Sequence, residues 1–208
     1  FRVTILDLPG FGKSDMMDQA WCVDDYVEWL HAFTIEQNMS EVIFIAHSFG
    51  ARVAIKYAAK YSVLKMVLTG AAGLKPKRGL MYYTQVYSYK IAKQIFKWPG
   101  LLKYKDKALK HFGSQDYKAI NGALKESFVK IVNEDLRPLL PLISASTLLI
   151  WGEYDAATPL WMGKVMEQEM KDAGLVVFEK EDHYAYWNQL NRFHTIVDKF
   201  LEKEATHG

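Results

Sequence analysis

The stretch VIFIAHSFGARVAI, residues 42–55, runs a block of aliphatics into His47-Ser48-Phe49-Gly50 and then into an alanine-rich segment. A serine hydroxyl is a poor nucleophile at neutral pH. It needs a base beside it and donors for the oxyanion that its attack creates. A strand-to-helix turn meets several of these needs together. It lifts the serine above the edge of a sheet, and the helix start offers unpaired backbone N–H groups where the dipole favours negative charge. Such a turn is crowded, so the residues two before and two after the serine must be small. Here they are Ala46 and Gly50. The pattern Ala-x-Ser-x-Gly differs by one methyl group from the commoner Gly-x-Ser-x-Gly. A serine motif this short is weak alone; its specificity comes from the aliphatic run before it and the helical pattern after it. A buried turn serine is the plain alternative.

The elements that must hold such a turn are legible around it. Apolar runs at 3–8 (VTILDL), 41–46 (EVIFIA), 64–69 (LKMVLT) and 146–151 (STLLIW) read as strands covered on both faces, and 174–179 (GLVVFE) is similar. Buried parallel strands show continuous apolar blocks in place of alternation. Helical patterns lie between them. Residues 19–38 carry Val23, Tyr26, Val27, Leu30 and Phe33 on one stripe, and 49–60, 160–172 and 189–203 are also amphipathic. Alternating strands and helices imply an α/β fold, a mostly parallel sheet flanked by helices.

Residues 74–140 break this rhythm. They contain no convincing strand and read as short helices rich in Tyr, Phe and Lys, too long for a plain loop. The expected organisation is a core formed by 1–73 and 141–208, with a helical cap over 74–140. Between Leu74 and Lys110 ten Lys/Arg face a single acid, Asp106, whereas the whole chain carries only +2. A basic, aromatic lid touching an anionic lipid or substrate is one reading of MYYTQVYSYKIAKQIFKW, 81–98. A cap helix with a solvated lysine face is the plainer one. No nucleic-acid motif is recognisable.

Composition is that of an ordinary globular protein of 208 residues, and no apolar run approaches the roughly 18–20 residues of a membrane span. One cysteine, Cys22, excludes an internal disulfide and is expected as a small buried apolar residue. The expected location is cytoplasmic. No Cys/His cluster has zinc-type spacing, so neither metal nor organic cofactor is expected.

Four stretches together resemble the α/β-hydrolase superfamily: DLPGFGKSD at 7–15, the serine turn, LLIWGEYDAATP at 148–159 and KEDHYAYWNQLNRF at 180–193. The resemblance spans nearly the whole chain and implies a chain order of serine, acid, histidine. It implies Ser48 as nucleophile, Asp155 as acid and His183 as base, with the Phe49 backbone N–H as one oxyanion donor. His31, His111, His194 and His207 fall elsewhere, and His47 is expected to line the site. A surface loop histidine and a helix-capping carboxylate ahead of Pro159 are the plain alternatives for His183 and Asp155. Glu153 falls earlier in the same turn. Asp182 stands where family members often have Gly. Met81, Tyr83, Tyr87 and Phe96 are expected pocket walls, with ordinary packing as the alternative.

The implied activity is cleavage of an ester-type small-molecule substrate through an acyl-enzyme. Thioester, lactone or C–C hydrolysis, acyl transfer, or an inactive fragment that binds a ligand or partner are the alternatives. A second oxyanion donor normally precedes DLPGFGKSD by some 25–35 residues, and only six residues precede Asp7. By resemblance the chain begins at the fourth of eight strands. The expectation is an N-terminally truncated α/β-hydrolase fold, either a fragment or a sheet closed up by pairing 3–8 with 41–46. A lost donor would cost roughly 10²–10³ in kcat.

Overall fold

The computed structural model describes residues 1–75 and 122–205. Four strands form a parallel sheet in the order of the chain: β1 (Ile43–His47), β2 (Lys65–Thr69), β3 (Ser146–Gly152) and β4 (Ala173–Phe178). Each lies within two residues of an apolar run expected to be a strand. Helices α1 (Val23–Glu36), α2 (Phe49–Ala58), α3 (Gly122–Asn133), α4 (Trp161–Glu169), α5 (Ala185–Asn188) and α6 (Leu190–Ala205) alternate with or follow them, and a 3-10 helix spans Arg137–Leu142.

Strand side chains alternate between faces, and each face has its own core. Phe44, Ala46, Met66, Leu68, Leu149 and Trp151 point to one side, where α1, α2 and α4 contribute Tyr26, Val27, Ile55, Met162 and Met166. Val67, Leu148, Ile150 and Phe178 point to the other, where α6 contributes Phe193, Ile196, Val197 and Phe200. The α1 stripe read from sequence is buried at Val23, Tyr26, Val27 and Leu30. Helix α2 is enclosed almost all round, Arg52 included.

The run at 3–8 is not a strand. It has the composition of one but not the ladder, since a strand needs a neighbour to accept its backbone bonds. Among the described residues β1 pairs with β2 alone, so the expected pairing of 3–8 with 41–46 does not form. Leu6 and Leu8 pack on the core while Val3 and Ile5 are 79% and 92% exposed. The following loop folds on Asp7, whose carboxylate accepts the Lys13 N–H (3.0 Å). Among the described residues one apolar row is also unevenly covered. Ile45, Val67 and Leu148 are register partners, yet Ile45 is 57% exposed and Val67 fully buried. The expectation that this strand is covered on both faces therefore fails at its outer edge.

Cys22 is also corrected. It is only half-buried, because it stands just before α1, where its N–H donates to Asp25 (2.6 Å). No helix among the described residues is long and apolar enough to cross a membrane.

Candidate active site

Ser48 joins the end of β1 to the start of α2 at φ 49° and ψ −108°. A non-glycine residue held outside the favoured regions costs on the order of 1–3 kcal/mol and persists only where its surroundings impose it. Here the Ser48 N–H donates to Thr69 O (3.0 Å), and its carbonyl accepts the N–H groups of Arg52 (3.2 Å) and Ala72 (3.1 Å). A Cβ built on Gly50 would meet the Ala46 methyl at 3.8 Å. The two small residues thus face each other with room for a methyl on each side. Phe49 is the first residue of α2, so its N–H has no acceptor within the helix.

Asp155 follows β3 and His183 follows β4, and the two meet: His183 Nδ1 lies 2.7 Å from Asp155 Oδ2. The Asp155 side chain is fully buried. Its Oδ1 accepts the N–H groups of Ala157 (2.9 Å) and Thr158 (2.8 Å), and the Thr158 hydroxyl donates to Oδ2 (2.8 Å). Burial pushes the Asp155 carboxyl up, but the bonds from His183 and Thr158 outweigh it and hold its pKa below the ordinary value. The carboxylate does not cap a helix, since α4 begins only at Trp161.

The two loops are stitched together. Tyr154 N–H donates to Glu181 O (2.8 Å), Glu153 N–H to Phe178 O (3.0 Å), and Lys180 N–H to the Glu153 carboxylate (2.9 Å). Glu153, the other acid of this turn, is thereby occupied in holding the loops. A Cβ on Gly152 would overlap the backbone carbonyl of Asp182, so only glycine allows the close approach. The Asp182 carboxylate accepts the Tyr184 N–H (2.9 Å) and so shapes the turn just after His183. Gly70, at φ +48°, backs onto the pair from β2: a Cβ there would lie 3.0 Å from His183 Nδ1 and 3.2 Å from Asp155 Oδ2.

Ser48, Asp155 and His183 thus stand beyond the C-terminal ends of β1, β3 and β4. Ser48 and His183 are not hydrogen-bonded to each other here; in unliganded sites such bonds are commonly long and tighten with substrate. His47 lies at the site, its ring centroid 4.5 Å from that of His183. Of the remaining histidines, His31 stacks on Tyr61 at 3.6 Å beside α2, and His194 is exposed on α6. Met81, Tyr83, Tyr87, Phe96 and His111 lie outside the described residues.

Sequence reasoning did not single out Gly70, Thr158, Tyr184 or Tyr186. A glycine ending the β2 run was a readable signal for the first. Thr158, three residues after Asp155, carried none of its own: nothing in the loop sequence says that its hydroxyl faces both Asp155 and the distant Gly70 carbonyl (3.0 Å).

A model of a family described as "Alpha/beta hydrolase family" matches residues 1–195. The 2-hydroxy-6-oxononadienedioate/2-hydroxy-6-oxononatrienedioate hydrolase of Pseudomonas sp. is 25% identical, over 98% of this chain and 78% of its own length. The pimeloyl-[acyl-carrier protein] methyl ester esterase of Shewanella woodyi is 27% identical, over 98% and 85%. Among solved structures, an esterase from Exiguobacterium antarcticum superposes with a TM-score of 0.70 at 21% identity, covering 94% of this chain and 79% of that one. The match spans both strand-end loops and the serine turn, and the chain belongs to the alpha/beta hydrolase family of enzymes, as a hydrolase.

Proposed function

We propose that the protein cleaves a small ester-type acyl substrate through a covalent intermediate on Ser48. The observation that carries this reading is the strained Ser48 turn above the same sheet edge as a bonded Asp155–His183 pair. His183 Nε2 takes the hydroxyl proton as Ser48 Oγ attacks the acyl carbon, and the carbonyl electron pair moves to oxygen. The Phe49 N–H, unpaired at the start of α2, donates to that oxyanion. The oxyanion collapses, the bond to the leaving group breaks, and His183 returns the proton to it. Water then repeats the sequence on the acyl-enzyme, His183 taking a water proton and Ser48 leaving with it. Asp155 keeps the imidazole tautomer with the proton on Nδ1 and stabilises the imidazolium. Neither step calls on a metal or organic cofactor.

A second reading, hydrolysis of a C–C bond beside a ketone, is favoured by the relatives whose names specify such substrates. Fold alone does not choose between the two.

The test is intact mass before and after a fluorophosphonate probe, with turnover of short p-nitrophenyl esters measured alongside. One adduct on the wild type, none on Ser48→Ala, and turnover lowered by roughly 10⁴–10⁶ in that variant are expected. A folded wild type that takes no adduct overturns the serine-nucleophile reading. An adduct on wild type with turnover only of a vinylogous 1,5-diketone favours the second reading.

A further inference from the structure

Beside the Asp155–His183 pair, Nε2 of His47 has no protein partner among the described residues. Its Nδ1 is committed to Thr69, 3.0 Å from the backbone carbonyl oxygen and 2.9 Å from the hydroxyl. A carbonyl only accepts, so in the neutral ring the proton on Nδ1 serves it and Nε2 presents a bare lone pair. The Tyr186 ring lies 4.9 Å from that of His47, the Tyr184 ring 5.4 Å and the His183 ring 4.5 Å, each tilted against it. His47 is half-buried among these rings.

The His47 ring lies against that of His183, so a substrate held by His183 has the His47 ring for a neighbour. Burial and the neighbouring His183 both act to keep that ring neutral, outweighing the opposing effect of the Thr69 bond. A neutral imidazole with a fixed Nδ1 proton is an acceptor at Nε2 and nothing else. An alkyl group there would leave the lone pair buried and unpaired; a hydroxyl, an enol or an amide N–H would satisfy it.

We propose that His47, walled by Tyr184 and Tyr186, is the specificity-determining residue of this site, and that its Nε2 accepts a hydrogen bond from a donor the substrate carries close to the scissile carbonyl. The substrate class is then hydroxylated or similarly donor-bearing acyl compounds in place of plain alkanoyl ones. This rests on the serine-hydrolase reading above. A site built to bond a substrate hydroxyl discriminates against the analogue lacking it, because its own polar group is left unpaired.

The experiment compares p-nitrophenyl 3-hydroxybutanoate, each enantiomer, with p-nitrophenyl butanoate. The readout is the ratio of their kcat/KM values, each normalised to its rate of alkaline hydrolysis. In the wild type one enantiomer is expected to be favoured about tenfold, the worth of one neutral hydrogen bond. His47→Phe, which keeps a ring and removes the acceptor, is expected to bring the ratio to about one. His47→Gln, whose amide oxygen falls near the position of Nε2, is expected to keep part of it. A wild-type ratio at or below one for both enantiomers overturns the proposal without any variant, and so does a ratio that survives His47→Phe. Fluorophosphonate labelling separates the two layers. Labelled wild type with no preference removes only the role of His47; unlabelled wild type removes the serine-hydrolase reading and this one with it.

Discussion

The two halves of the proposed catalytic set are built differently. Asp155 and His183 come from loops after β3 and β4, which pair along their length and are tied together by the bonds of Glu153, Tyr154 and Lys180. Ser48 comes from the end of β1, which like β4 has one neighbour among the described residues, but which leaves Ile45 exposed. The Asp155–His183 pair is closed over a fully buried carboxylate and held by hydrogen bonds that cross between two loops. Ser48 is held by three backbone bonds, to Thr69, Arg52 and Ala72, at the end of a strand with an open side chain on it. Both halves are hydrogen-bonded; what differs is how deeply each is buried.

Replacing Asp155 by Asn strikes the closed half. It leaves the shape of the carboxylate but permits the wrong imidazole tautomer, and a fall in kcat of about 10⁴ is expected. Esterase kinetics on folded variant decide it; a loss under tenfold would mean that another group orients His183. The next contrast tests the open half directly. Leu148 and Ile45 lie in one row across the sheet, yet Leu148→Ala is expected to cost about 2–5 kcal/mol and Ile45→Ala within about 0.5 kcal/mol. Urea denaturation of the pair gives both numbers. Equal costs would show that Ile45 is covered in solution and that the asymmetry is not real.

The smallest effect expected is a pH dependence. His47 has a lowered pKa, so its neutral form is favoured in the folded chain. The stability tied to it is complete above the ordinary histidine value, about 6.5, and declines as pH falls below it. Asp155, lowered as a carboxyl, adds a second decline below about pH 4. Tm measured across pH 8 to 3 should show the first decline in wild type and its absence in His47→Gln. A flat wild-type profile between pH 7 and 5 would sink the assignment to His47.

Much of this arrangement was legible in the sequence because it rests on local signals. The apolar runs mark β1 to β4 within two residues, and the turn at Ala46–Gly50 needs only its own small side chains. What the sequence misjudged depends on neighbours. The run at 3–8 has strand composition, but composition does not say whether a ladder partner stands beside it. Cys22 has a buried residue's chemistry, but its position before α1 leaves it half out. Gly70 gains its role from His183 and Asp155, which come to it from other strands, and no short pattern encodes such a meeting. Thr158 serves its near neighbour Asp155, but its bond to the Gly70 carbonyl is of the long-range kind. The contacts of Tyr184 and Tyr186 with His47 are of the same kind.

The N–H of Leu136 donates to the carbonyl of Gly73 at 2.8 Å, and Arg52 and Lys56 of α2 hold Glu134 beside it. Chain that leaves the core after Gly73 thus comes back to the same point. The excursion is a loop whose ends are tied, so its closure cost grows only as the logarithm of its length. The returning helix α3 is nevertheless part of the core: Ile131 is buried in it and the Ser127 hydroxyl oxygen accepts the Trp21 N–H at 2.8 Å. The tie at Gly73 works like a drawstring: it fixes where the excursion leaves and where it returns, so a change of length is cheap in closure entropy only where it leaves that helix in its seat.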